Sequence, residues 1–179
     1  MARIAFVLGE DFEDSEFRTP YDALKNAGHT VDVLGAKAGE VVKGKLGKEQ
    51  VKIEASAADQ EPSSYDALVI PGGYSPDHLR INQGVVAFVE RMVRDGKLVA
   101  AVCHGPQLLI EADVVRGKTV TSWPSVKTDL KNAGATWVDR EVVADGNLIT
   151  SRKPADLPAF SEAIKAKLGG QPSQARAAR

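Results

Sequence analysis

The one cysteine of this 179-residue sequence stands in Ala101-Val102-Cys103-His104-Gly105-Pro106, directly after the apolar run Leu98 to Val102. Ala101-x-Cys103-x-Gly105 has the small-x-nucleophile-x-small form of a strand-to-helix elbow, where small neighbours let the nucleophile occupy a strained, tight turn. A thiol presented there faces the amino end of the next helix, whose free N–H groups and dipole favour thiolate. Without that context, a cysteine ending an apolar strand reads as a small buried hydrophobe. A second turn, Pro71-Gly72-Gly73, closes the apolar run Ala67 to Ile70, and glycine lets backbone approach a ligand closely. The N–H of His104 together with that of Gly73 makes a candidate oxyanion hole, with Gly72 lining it, which suits acyl or carbonyl chemistry.

The elements that must position these residues alternate. Ile4 to Leu8 is an apolar run of strand length. Ser15 to Ala27 has apolar residues at helical spacing before Gly28, and Thr30 to Leu34 returns as a strand. A right-handed β-α-β crossover with parallel strands follows. Gly-punctuated stretches around Val41-Val42-Lys43 and Gln50-Val51-Lys52 predict a small antiparallel hairpin. Gln83 to Arg94 carries a broad apolar stripe, a further helix starts at the elbow, and Pro154 to Leu168 fits a closing helix. The expected fold is an open, mostly parallel sheet with helices on both faces, which puts a site at the carboxyl ends of the strands. Residues 1–168 read as a single domain and 169–179, rich in Gly, Gln, Ser and Ala, as a disordered tail.

Composition excludes several functions. The 23 basic and 24 acidic residues leave a formal charge of -1, so no field draws the chain to nucleic acid or an anionic membrane. The first apolar run is too short for a signal segment and none later reaches transmembrane length, so a cytoplasmic protein is expected. A single cysteine excludes an internal disulfide and a cysteine-rich zinc site. No metal site is expected, and Gly72-Gly73 lacks the spacing of a dinucleotide or phosphate loop, so no cofactor is expected either.

Phe12-Glu13-Asp14, Ile70-Pro71-Gly72-Gly73, Cys103-His104-Gly105-Pro106, Thr121-Ser122-x-Pro124 and Ser151-Arg152-x-Pro154, in this order along the chain, resemble the DJ-1/PfpI superfamily, nearest its PfpI-like intracellular peptidase and stress-protein branch. The resemblance implies a flavodoxin-like three-layer sandwich with Cys103 as nucleophile and His104 beside it. It implies a carboxylate at Asp77 supplied across the interface of a homodimer or larger homo-oligomer. Peptidase members commonly carry glutamate there, one methylene longer. Glu13 matches the family's acidic residue near the cysteine, protonated and donating to the thiolate; desolvation and like charge would both raise its pKa. Trp123 lines the site where peptidase-like relatives have tyrosine. Outside that resemblance Glu13 and Asp14 read as helix-start acids, Asp77 as a solvated loop residue, and His29 and His78 as surface or cap residues.

The leading functional expectation is a stress-protective, cysteine-dependent hydrolase acting on reactive carbonyls or glycated adducts. An intracellular cysteine peptidase acting on peptides uses the same residues, and a non-catalytic redox sensor or chaperone-like stress protein uses the thiol alone.

Overall fold

The computed structural model describes residues 1–170. In chain order its elements are β1 (Arg3–Val7), α1 (Asp14–Asn26), β2 (Thr30–Gly35), β3 (Val41–Lys43), β4 (Gln50–Lys52), β5 (Ala55–Ser56), β6 (Ala67–Ile70), α2 (Ser75–Leu79), α3 (Gln83–Arg94), β7 (Leu98–Val102), α4 (Pro106–Glu111), β8 (Thr119–Val120), α5 (Lys127–Asn132), β9 (Thr136–Trp137), β10 (Val142–Asp145), β11 (Leu148–Ser151) and α6 (Leu157–Gly170). Seven strands form the main sheet in the order β10-β11-β7-β6-β1-β2-β5. All of its pairings are parallel except β10 with β11. The expected hairpin is β3 with β4. The segments around Thr119 and Trp137 stand apart as a separate two-stranded parallel sheet, β8 with β9. The closing helix continues to Gly170, and the rest of the expected tail lies outside the described residues.

Strand alternation divides the core into two layers. Ile4, Phe6 and Leu8 point to the α1 and α6 side, where Phe17, Leu24, Phe160 and Ile164 cover them. Ala5 and Val7 point to the side of α3 and α4, against Val85, Val89, Met92, Leu108 and Leu109. Strands β6 and β7 are buried at every position, so they read as continuous apolar runs. Their register pairs Ile70 with Ala101. Two residues further on, the same register sets Gly72 beside Cys103, which brings the glycine turn and the elbow to one place.

Candidate active site

Cys103 adopts φ 63°, the left-handed region, one of three non-glycine residues to do so among the described residues. This is the strain expected of an elbow. The surrounding backbone holds it: the Cys103 N–H donates to the Ser151 carbonyl at 3.0 Å, its carbonyl accepts the Trp123 N–H at 3.0 Å, and the Gly105 N–H donates to Val102 at 2.8 Å. A Cβ on Gly105 would meet the Ile70 carbonyl at 2.5 Å, so the turn requires glycine. Cys103 is 8% exposed, and the backbone amides of Gly73 and His104 act to pull its thiol pKa down. The Gly72 N–H is not part of that pair, because it donates to Glu16 Oε2 at 2.8 Å.

The acidic side chain at the thiol is Glu16. Glu13 precedes the first turn of α1 in extended backbone and makes no cap bond; its carboxylate turns outward to Lys45 Nζ at 2.7 Å. Glu16, inside the first turn, belongs to the buried stripe Glu16, Phe17, Pro20 and Leu24 and is fully buried. A Cβ on Gly72 would lie 2.5 Å from Glu16 Oε2 and 2.8 Å from Cys103 Cβ, so glycine is what lets carboxyl and thiol approach over that turn. The second carboxyl oxygen, Oε1, has no well-formed hydrogen bond, and the Cys103 thiol is near enough to the carboxyl to act on its titration. The expectation for Glu13 beside the sulfur therefore moves three residues along the chain. A charged residue on the apolar stripe of α1 was the signal for it, readable from the spacing of Glu16, Pro20 and Leu24 alone.

Burial sets the titration here. It pushes the Glu16 carboxyl up to about 8, against the opposing pull of the Gly72 amide. Burial and an ionised Glu16 push the Cys103 thiol up, while the Gly73 and His104 amides pull it down. The two groups titrate as a pair, and two charges do not coexist there at neutral pH. His104 is held below its ordinary pKa by burial and by Lys45, with Asp77 opposing, so it stands as neutral imidazole. Its Nδ1 lies 3.4 Å from Cys103 Sγ and its Nε2 3.3 Å from Ser125 Oγ. Ser125 is a site neighbour that the sequence reading missed, placed by the turn after Trp123.

Asp77 is exposed on α2; its charge reaches His104, and no hydrogen bond joins the two among the described residues. Trp123 is 40% exposed and touches the elbow through its backbone. His29 accepts the Ala2 N–H at 3.1 Å, and His78 lies 3.6 Å from Asp11. Among the described residues no group of three or more His, Cys, Asp or Glu could hold a metal ion, and no helix is long and apolar enough to cross a membrane.

The sequence profile of the DJ-1/PfpI family matches residues 2–167. The chain is 48% identical over 168 residues to the protein/nucleic acid deglycase 2 of Escherichia coli, spanning 93% of this chain and 98% of the relative. It is 48% identical over 160 residues to general stress protein 18 of Bacillus subtilis, spanning 89% and 93%. In three dimensions it is similar to a crystal structure from Anabaena variabilis of a two-domain protein with DJ-1/ThiJ/PfpI-like and ferritin-like domains, with a TM-score of 0.93 and 46% identity. That match covers 94% of this chain and 48% of the two-domain protein, about half its length.

Proposed function

Because the chain belongs to the DJ-1/PfpI family, we propose that it is a stress-protective, cysteine-dependent hydrolase of reactive carbonyls and their glycated adducts, working in the cytoplasm. The observation that carries this reading is the fully buried Glu16 carboxyl, set over Gly72 beside the thiol of a strained elbow and pushed up to about 8 by that burial. With its proton retained, Glu16 no longer repels a thiolate and its O–H faces the sulfur; the Gly73 and His104 amides add two more donors. On this reading these donors outweigh the burial that pushes the thiol up, and the negative charge of the pair resides on Cys103.

Attack of that thiolate on an aldehyde carbonyl forms a C–S bond and an oxyanion, which the Gly73 and His104 N–H groups are placed to receive. Protonation gives a hemithioacetal. For an α-oxoaldehyde, neutral His104 takes the proton from the thiol-bearing carbon and returns one to the adjacent carbon, leaving a thioester. Water cleaves the thioester's C–S bond, releasing a hydroxy acid and restoring the thiol, so atoms and electrons balance without an added oxidant. An Asp77 from a second copy of the chain is proposed to orient His104; to bond Nε2 it must displace Ser125.

Consumption of glyoxal-type aldehydes with release of the hydroxy acid, abolished by Cys103→Ala, is the expected result. Turnover that survives Cys103→Ala overturns the mechanism. Cleavage of labelled peptides that depends on Cys103, without aldehyde consumption, transfers the site to the peptidase reading. Peroxide uptake by Cys103 without either turnover transfers it to redox sensing.

A further inference from the structure

One side chain of the hairpin reaches the site. Lys45 Nζ is 2.7 Å from Glu13 Oε2, and the Lys45 N–H donates to the Phe12 carbonyl at 2.9 Å. Phe12 is bridged to Gly44 on one side and to Gly73 on the other. The residue before Lys45 is thus one strand away from the segment that carries the Gly73 amide. The turn holding Lys45 is clamped from below, since Asp14 accepts the N–H groups of Leu46, Lys48 and Glu49, each at 2.9 Å. The titratable groups that face Lys45 come from three elements: Glu13 in the loop before α1, Glu16 on α1, and Cys103 and His104 at the elbow.

Resting on the reading of Cys103 as a thiolate, we propose that Lys45 is a positioning residue for the reaction, its ammonium, anchored by Glu13, favouring negative charge on the Cys103–Glu16 pair and a neutral imidazole at His104. Glu13 thereby has a role at the site without touching the sulfur: it fixes the cation. The Lys45 side chain is 37% exposed, so its field is partly screened by water and by salt. The effect expected is accordingly moderate.

The test is the rate of Cys103 alkylation by iodoacetamide against pH, in the full chain, for wild type, Lys45→Met, Lys45→Arg and Glu13→Gln, with a thermal melt of each. Lys45→Met is expected to slow alkylation at pH 7 by about three- to tenfold and move the profile to higher pH. Lys45→Arg restores it, and Glu13→Gln moves it slightly to lower pH. Added salt moves the wild-type profile toward that of Lys45→Met while leaving the variant in place, a readout that does not depend on how well the variant folds. The proposal is overturned if Lys45→Met follows the wild-type profile, if Lys45→Arg is as slow as Lys45→Met, or if Glu13→Gln moves upward as a sulfur-bound donor would. A wild-type thiol that does not ionise below the range of a free cysteine defeats the thiolate reading itself, a distinct result.

Discussion

The first turn of α1 buries two carboxylates, Asp14 on the hairpin side and Glu16 on the side of the β6 and β7 turns, and their surroundings are opposite. Asp14 is 3% exposed and accepts three amides from the hairpin turn. Burial by itself would raise its pKa, but those amides hold it below the ordinary carboxylate range. Glu16 is fully buried, has one amide, and is pushed up to about 8. One is supplied with donors to be charged, the other denied them to stay neutral. Burial of an acid is therefore no sign of chemistry; the number of donors it receives decides whether it is a structural anion or a proton holder.

Removing each acid should separate stability from reactivity, and the largest effect belongs to Asp14. Asp14→Ala leaves three hairpin amides without their acceptor and is expected to cost about 3–5 kcal/mol in a denaturant titration. A loss below about 1 kcal/mol would mean that the hairpin closes without it. At Glu16 the expected signature lies in pH. A group whose folded pKa is raised favours folding fully below its unfolded value of about 4.3, and that contribution is lost as pH rises through the folded value. Between about pH 4.3 and the folded value of about 8, wild type should therefore lose stability relative to Glu16→Gln by up to about 1.4 kcal/mol per pH unit. Parallel stability curves for the two proteins would remove the distinction between the acids.

Asp14 predicts the reverse slope. Its depressed pKa contributes stability that is present above about pH 3.9 and lost as pH falls through the folded value, so Asp14→Asn should flatten the acid limb below pH 4. The smallest effect is expected at Arg18, which bonds Glu49 at 2.7 Å at the edge of the same hairpin while remaining 41% exposed. Arg18→Ala should cost about 1 kcal/mol or less, most of it removable by salt. A larger loss would show that the rim, and not Asp14, holds the hairpin.

The central strands and the elbow were legible because their signals are local. Ala67 to Ile70 and Leu98 to Val102 are apolar throughout, and Ala101 and Gly105 flank Cys103 at the spacing of a strained turn. Gly73 and His104 as amide donors followed from the same turns. What escaped depends on contacts across long stretches of chain. Glu13 stands outside α1 and Glu16 on its inner stripe whether the helix starts at Ser15 or at Asp14; what sets Glu16 at the thiol is its bond to Gly72, 56 residues away. Asp14 read as a helix-start acid because its partners lie 32 to 35 residues away. The β8–β9 pair has two residues per strand, too few for alternation to mark. Ser125 meets His104 only through a fold-back of 21 residues.

The central claim is that the negative charge of the Cys103–Glu16 pair rests on sulfur. Ultraviolet thiolate absorbance against pH, in wild type and Glu16→Leu, reads that charge directly. The account predicts a wild-type thiolate well below the free-cysteine value of about 8.5, and a rise toward or above that value in Glu16→Leu, which lacks the donor. A wild-type thiol that stays protonated through pH 9, and ionises more readily once Glu16 is replaced, would place the charge on Glu16 and contradict it.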